Sequence, residues 1–274
     1  MTATGAQARA EAKKKLDYRP LAGAPDEMLG PDGVVRPVWR HFLERLSGMD
    51  QVELERRTDK ADRYLRDAGV FYRVYGGAPN AERSWPLSHV PVMISDKEWL
   101  ALSEGLKQRA ELLERIAADI YSENRLVQEG FLPPALIAGN PEFLRPLVGV
   151  KPAGGHYLHF VAFEIGRGPD GDWWVLGDRT QAPSGAGFAL ENRVATTRAF
   201  SDVYAETHVH RLASFFGAFR DALHTYRRNP DDRIAVLSPG PANETYFEHS
   251  YIARYLGIML LEGEDLTVVN GQVM

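Results

Sequence analysis

Cysteine is missing from all 274 residues, which removes disulfides, thiolate nucleophiles and cysteine-bound zinc together and fits a reducing compartment. Basic side chains are in deficit. Thirty-two Lys and Arg against 37 Asp and Glu leave a formal charge of −5, and a sequence-independent nucleic-acid binder needs the opposite surplus. No run approaches the ~20 apolar residues of a membrane-spanning helix. The stretch Met1–Lys15 is small and polar, ends in Lys13-Lys14-Lys15, and has no apolar segment of the kind a secretory signal requires. Internal repeats and low-complexity tracts are absent too. Together these absences argue for a cytoplasmic protein with neither nucleic acid nor membrane as partner.

What is present is the composition of a globular chain: 44% hydrophobic and 25% charged residues can form a real core. Residues 1–35 show little periodicity and are read as a loose lead-in. Between 36 and 150 the pattern is mainly helical. Phe42, Leu43 and Leu46 share one face, and Leu54, Ala61 and Leu65 continue the spacing to Gly69. Val70–Tyr75 is β-branched and aromatic, hence a strand closed by Gly76-Gly77. Ser95 with Glu98 forms a capping box before a long apolar stripe from Trp99 to Tyr121. From 151 to 274 strands and helices mix. Tyr157–Ile165 and Trp173–Leu176 flank the turn Pro169-Asp170-Gly171-Asp172, the signature of a hairpin. Val203–Arg228 reads as a helix, Ile234–Leu237 as a strand, Tyr246–Leu256 as a helix ended by Gly257, and 258–261 and 266–269 as closing strands. The fold class is therefore α/β (α+β), a helical front followed by a mixed β/α portion.

Two segments could carry chemistry. In the first, Asp178-Arg179-Thr180-Gln181-Ala182-Pro183-Ser184-Gly185-Ala186-Gly187, a carboxylate leaves the hairpin and enters a loop with hydroxyls and glycines. Glycine lets backbone N–H groups approach an anion, and two carboxylates facing one site hold Mg²⁺ against phosphates. Glu164 and Asp178 are the candidate pair, expected to gather with Ser184 and Gly185 at one concave site. The competing reading is a satisfied loop in which Arg179 neutralises a nearby acid. The second segment, Ser238 to His249, follows an apolar strand and opens a helix, where ligands dock in α/β sheets. Its plainer reading has Asn243 capping the helix and Glu244 facing the N-terminal dipole, with Glu248-His249 as surface or packing residues. His208 and His210, two apart on a helix, face different ways. Ser184 lacks the pattern of a hydrolase nucleophile.

The run Trp173–Arg193 resembles the hallmark of the circularly permuted type 2 ATP-grasp family. Pro239–His249 is similar to a second hallmark, as is Leu256–Leu266, and Gly69-Val70, Glu98-Trp99 and Gln108-Arg109-Ala110 fit the helical front. The resemblance covers Arg36 to the end of the chain. It implies an ATP-dependent carboxylate–amine ligase architecture, distantly akin to glutathionylspermidine synthase, with ATP and Mg²⁺ as cofactors and a small carboxylate, amine or peptide as substrate. By resemblance the metal ligands are Glu164 and Asp178. The cofactor contacts are Thr180, Ser184, Gly185 and Gly187, and the catalytic residues are Arg193, Asn243 and Glu244.

The chain departs from that pattern in two ways. The commoner Asp is Glu164, and the usual Glu-x-Asn dyad has become Gly177 and Arg179. In addition, the family's nucleotide-gripping lysines come later in the chain than Met274. The expectation is an incomplete ATP-grasp chain, inactive alone, whose partner is the missing C-terminal portion. The alternative is a non-catalytic binding or scaffold module that kept the fold.

Overall fold

The computed structural model describes residues 18–73 and 82–274. Met1–Lys15, the end of the first expected strand (Val74-Tyr75) and Gly76-Gly77 lie outside the described residues. Helices α1 (Pro37–Ser47) and α2 (Gln51–Asp67) lead into a short antiparallel pair, β1 (Phe71–Arg73) and β2 (Glu82–Ser84). The long helix α3 (Asp96–Ile120) is followed by the short α4 (Arg125–Gln128) and α5 (Pro134–Ala138), then by the hairpin β3 (Ala162–Arg167) and β4 (Trp173–Arg179). Next come α6 (Ala186–Ala199), α7 (Ser201–Glu206), α8 (Ala213–Thr225), β5 (Ala235–Ser238), α9 (Tyr246–Leu256) and β6 (Met259–Glu262). A ribbon of β7 (Val268–Val269) and β8 (Gln272–Val273) closes the order. The class is mixed α+β, as the sequence pattern implies.

The chain divides into two compact units, one of Ile94–Pro183 and one joining Met1–Met93 to Ser184–Met274. In the discontinuous unit, Pro37 starts α1 where a missing N–H costs nothing. Trp39, Phe42, Leu43 and Leu46 then recur at helical spacing and are all buried. Asp50 caps α2 by accepting the Glu53 N–H at 2.8 Å. Ala61 and Leu65 of α2 join Phe188, Ala195 and Ala199 of α6 in one cluster with the α1 residues. Arg57 forks onto Asp202 at 2.6 and 3.1 Å, tying α2 to α7 and, by that hydrogen bonding, holding the Asp202 carboxyl down at about 2. A second cluster gathers Leu190, Phe216, Tyr251 and Leu256.

The continuous helix expected over Val203–Arg228 is interrupted. His208 adopts a left-handed φ of 50°, which an α-helix of L-residues cannot carry, so α7 ends at Glu206 and α8 starts at Ala213. His208 and His210 occupy the break.

Strands β5 and β6 are parallel, pairing Ala235 with Met259 through Ser238 with Glu262, and α9 is their crossover. Gly257, at φ 70°, ends α9 as the sequence suggests. Because side chains alternate along a strand, Val236, Ser238, Leu260 and Glu262 face α9, while Ala235, Leu237, Met259 and Leu261 face away.

In the unit Ile94–Pro183, Ser95 caps α3 by accepting the Glu98 N–H at 3.3 Å. No residue of α3 is buried, so its apolar stripe is only half covered.

Phe42→Ala removes a buried ring from the larger cluster and should cost ~3–5 kcal/mol in urea unfolding, whereas Leu112→Ser on the exposed side of α3 should stay within about 0.5 kcal/mol.

Candidate functional site

The acidic hairpin is built around one extra residue. From the turn outward, Arg167 pairs with Trp173, Gly166 with Trp174 and Ile165 with Val175. Continued straight, this pairing would put Glu164 and Asp178 on one face. The register shifts between Glu164 and Ile165, leaving Leu176 without a partner, and beyond the bulge Glu164 pairs with Gly177 and Phe163 with Asp178. Asp178 therefore turns to the opposite face from Glu164.

Each face has its own chemistry. On the inner face, Arg109 of α3 forks onto Asp178 at 2.6 and 2.7 Å, and this hydrogen bonding holds the Asp178 carboxyl below the usual carboxylate range. Glu98 of α3 accepts from Arg167 at 2.9 Å and from the Trp173 indole at 3.0 Å. The Arg167 guanidinium lies 4.4 Å from the Trp173 ring centre. On the outer face the Arg179 guanidinium grips Glu164, its Nε at 2.8 Å and its Nη2 alongside. That face is floored by glycines. A Cβ would come 3.1 Å from Glu164 at Gly177, 3.1 Å from Leu176 at Gly166 and 2.2 Å from the Trp174 indole at Gly168.

Mg²⁺ needs several hard oxygens converging on one point. Glu164 and Asp178 lie on opposite faces, and each is matched by a guanidinium, so this arrangement does not fit the ion. Among the described residues no group of three or more His, Asp or Glu is arranged for a metal.

The glycine loop belongs to the other unit. Gly185, at φ 119°, sits at the N-cap of α6. Its N–H donates to both oxygens of Glu248 at 2.7 and 2.8 Å, and the Gly187 N–H donates to Glu248 at 2.7 Å. Glu248 is 2% exposed, and the positive end of α6 adds to its stabilisation. A Cβ on Gly187 would lie 2.9 Å from the Glu248 side chain. The backbone donors that could cradle a phosphate are thus committed to an internal carboxylate. Ser184 is exposed beside them, while Thr180, also exposed, lies in the Ile94–Pro183 unit.

The following residues face inward. Buried Glu191 accepts from Tyr64 at 2.7 Å, and burial with that bond pushes the phenol up to about 12. Burial, then a bond to Glu191, raises Tyr251 as well. Asn192 accepts from the Trp85 indole at 2.6 Å. Arg193 donates to the His210 carbonyl at 2.6 Å, bracing the break between α7 and α8.

In the second motif Asn243 is not the helix cap. Thr245 occupies that position, and Asn243 Oδ1 accepts the Thr245 N–H at 2.9 Å and its hydroxyl at 2.7 Å. Since the Thr245 hydroxyl proton goes to Asn243, its oxygen accepts from His249 Nε2 at 3.1 Å. His249 Nδ1 then accepts from the Ser238 hydroxyl at 2.9 Å, and Ser238 Oγ accepts the Gly240 N–H at 3.1 Å. One directed chain runs from strand end to helix start and fixes the imidazole as the neutral Nε2–H form. Ser238 is 2% exposed, so no substrate carbon reaches it. Glu244 is half-buried near the helix start.

The sequence named Glu248 and His249 only as surface or packing residues and did not single out the Ser238–His249 link. The one available signal was their place in the first turn of a helix that follows a strand by a Pro/Gly turn.

Glu248→Gln replaces an acceptor with an amide and should cost ~1.5–3 kcal/mol, with faster hydrogen exchange at Gly185 and Gly187. Burial, opposed by Glu248, lowers His249 below its ordinary 6.5. Below that value the unfolded chain binds the proton more readily, so stability from the neutral ring is full above about 6.5 and falls as pH drops through the folded value. Thermal melting from pH 8 to 5 should show the loss for the native chain, and a His249→Gln variant should flatten the part due to this residue.

Residues 91–274 match the model of circularly permuted ATP-grasp type 2 proteins. An uncharacterized protein of Mycobacterium tuberculosis is 34% identical over 256 residues, covering 92% of this chain and 45% of its own length. A second one from that organism is 33% identical over 269 residues, covering 94% of this chain and 30% of its own length. An uncharacterized protein of Synechocystis is 31% identical over 248 residues, covering 90% of this chain and 52% of its own. The chain thus spans about half, or less, of the curated relatives it matches. With two-thirds of its residues, the hairpin, the glycine loop and the β5–α9–β6 unit among them, inside the family match, the chain belongs to the circularly permuted ATP-grasp type 2 family.

Proposed function

We propose that this chain supplies the acidic-hairpin portion of an ATP-dependent carboxylate–amine ligase and turns over nothing by itself. ATP-grasp proteins generally bind ATP and Mg²⁺, and the ligase reading gives this one a small carboxylate, an amine or a peptide as substrate. The nucleotide grip would come from sequence that the longer relatives carry beyond the matched stretch. The lack of cysteine supports a cytoplasmic setting.

One observation carries the inactivity. The groups that would meet metal and phosphate are already engaged: Glu164 by Arg179, Asp178 by Arg109, and the Gly185 and Gly187 amides by Glu248. Phosphoryl transfer depends on positioning and on offsetting phosphate charge. Each charge-assisted contact withheld costs ~1.5–3 kcal/mol of affinity. A second reading, a binding or scaffold module without chemistry, is favoured by Arg179, a fixed cation on the outer face where the resemblance calls for Asn.

ADP release from the purified chain with Mg²⁺, pooled amino acids and pooled amines should not exceed background, and calorimetry should register no ATP binding. Arg179→Asn with Gly177→Glu should not rescue either signal alone. Turnover by the native chain would overturn the proposal.

A further inference from the structure

The β5–α9–β6 unit is finished on one side only. Its strands read Ala235-Val236-Leu237 and Met259-Leu260-Leu261, continuous apolar runs rather than an alternation. Such runs belong to parallel strands covered on both faces, because a crossover sheet is normally sandwiched between helices. Here α9 covers the Val236 and Leu260 face, as the bond from Ser238 to His249 makes plain. The other face presents Ala235, Leu237, Met259 and Leu261, with Leu237 61% exposed at the centre of its strand. Among the described residues neither β5 nor β6 pairs with a third strand; on β6 the outward Glu262 N–H is taken by Asp265 at 2.8 Å, which leaves the outer side of β5 as the open edge of N–H and C=O groups. Parallel pairing is slightly weaker per residue than antiparallel, and a lone pair of strands is marginal in water.

We infer that this face, with the edge beside it, is the docking surface for the remainder of the family's fold. The occupant is a polypeptide that lays an apolar face over Leu237 and Met259 and adds a strand to the open edge. Its source follows from length. The match uses 90% of this chain but only 52% of the Synechocystis relative, so that protein holds nearly as much sequence again outside the match. The exposed residues carry no charge, so the contact is apolar at its centre and hydrogen-bonded along the edge. This inference rests on the proposal that sequence beyond the matched stretch completes the protein.

The probe is the unmatched remainder of the Synechocystis relative, expressed separately and mixed with the full 274-residue chain. Sedimentation velocity should show a one-to-one complex, and hydrogen exchange should slow at 235–238 and 259–262. A Leu237→Asp, Met259→Asp double variant alters exposed positions, and circular dichroism and melting should show it folded as before. Its affinity for the probe should fall on the order of 100-fold. Three results would overturn the inference: a complex indifferent to the double variant, a dimer of the chain alone that the variant abolishes, or no complex with exchange unchanged. ADP release by the mixture separates the two proposals. A complex without turnover removes the ligase reading and leaves the interface standing, while turnover unaffected by the variant does the reverse.

Discussion

A carboxylate cut off from water has to be surrounded by donors, and Glu248 is where this protein meets that condition most fully. Its oxygens take the Gly185 and Gly187 N–H groups, which otherwise would be orphan donors at the start of α6. One contact thereby seats α9 against α6 and fixes the path of the loop entering α6. The same device recurs where chain segments leave regular structure. Glu114 receives the Tyr157 and Leu158 N–H groups, Asp119 those of Arg125 and Leu126, and Asp26 those of Met28 and Leu29. Asp232 takes Arg228 and Asn229, and its carboxyl is lowered by those backbone bonds. Much of the acidic surplus is thus engaged with the backbone.

The hairpin answers a geometric demand from α3. Glu98 and Arg109 stand eleven residues apart, three turns on one helix face, and their partners Trp173 and Asp178 stand five apart on β4. A rise of 1.5 Å per helical residue and about 3.3 Å per strand residue makes both separations roughly 16 Å. Asp178 can meet Arg109 only if it faces α3, and the Leu176 bulge is what turns it there. The bulge thus explains both the bracing and the separation of Asp178 from Glu164.

Much of the local structure was legible. The Ser95 cap, the Gly257 stop, the hairpin and the strand–helix–strand order follow from short-range chemistry that the sequence displays directly. The family was legible too, because its motifs are long and contiguous. The site was less so, since its geometry turns on contacts that no local pattern records. A bulge is invisible to parity, so the register of Glu164 and Asp178 could not be read. Glu248 lies 61 residues from Gly187, and nothing near either announces the other. Asn243 resembles a cap by type, yet the helix starts later because its side chain closes a tighter turn with Thr245.

The discontinuous unit also shapes how the chain can be made. Ala61 and Leu65 of α2 share their core with Phe188, Ala195 and Ala199 of α6, whose residues follow an intervening unit of about 90 residues, which a ribosome adds at roughly 5–20 residues per second. For some 5–20 s α1 and α2 therefore lack the part of their shared core that α6 supplies. Closing so long an interval also costs chain entropy before any contact forms. The yield of this protein should therefore depend on elongation rate more than its equilibrium stability does.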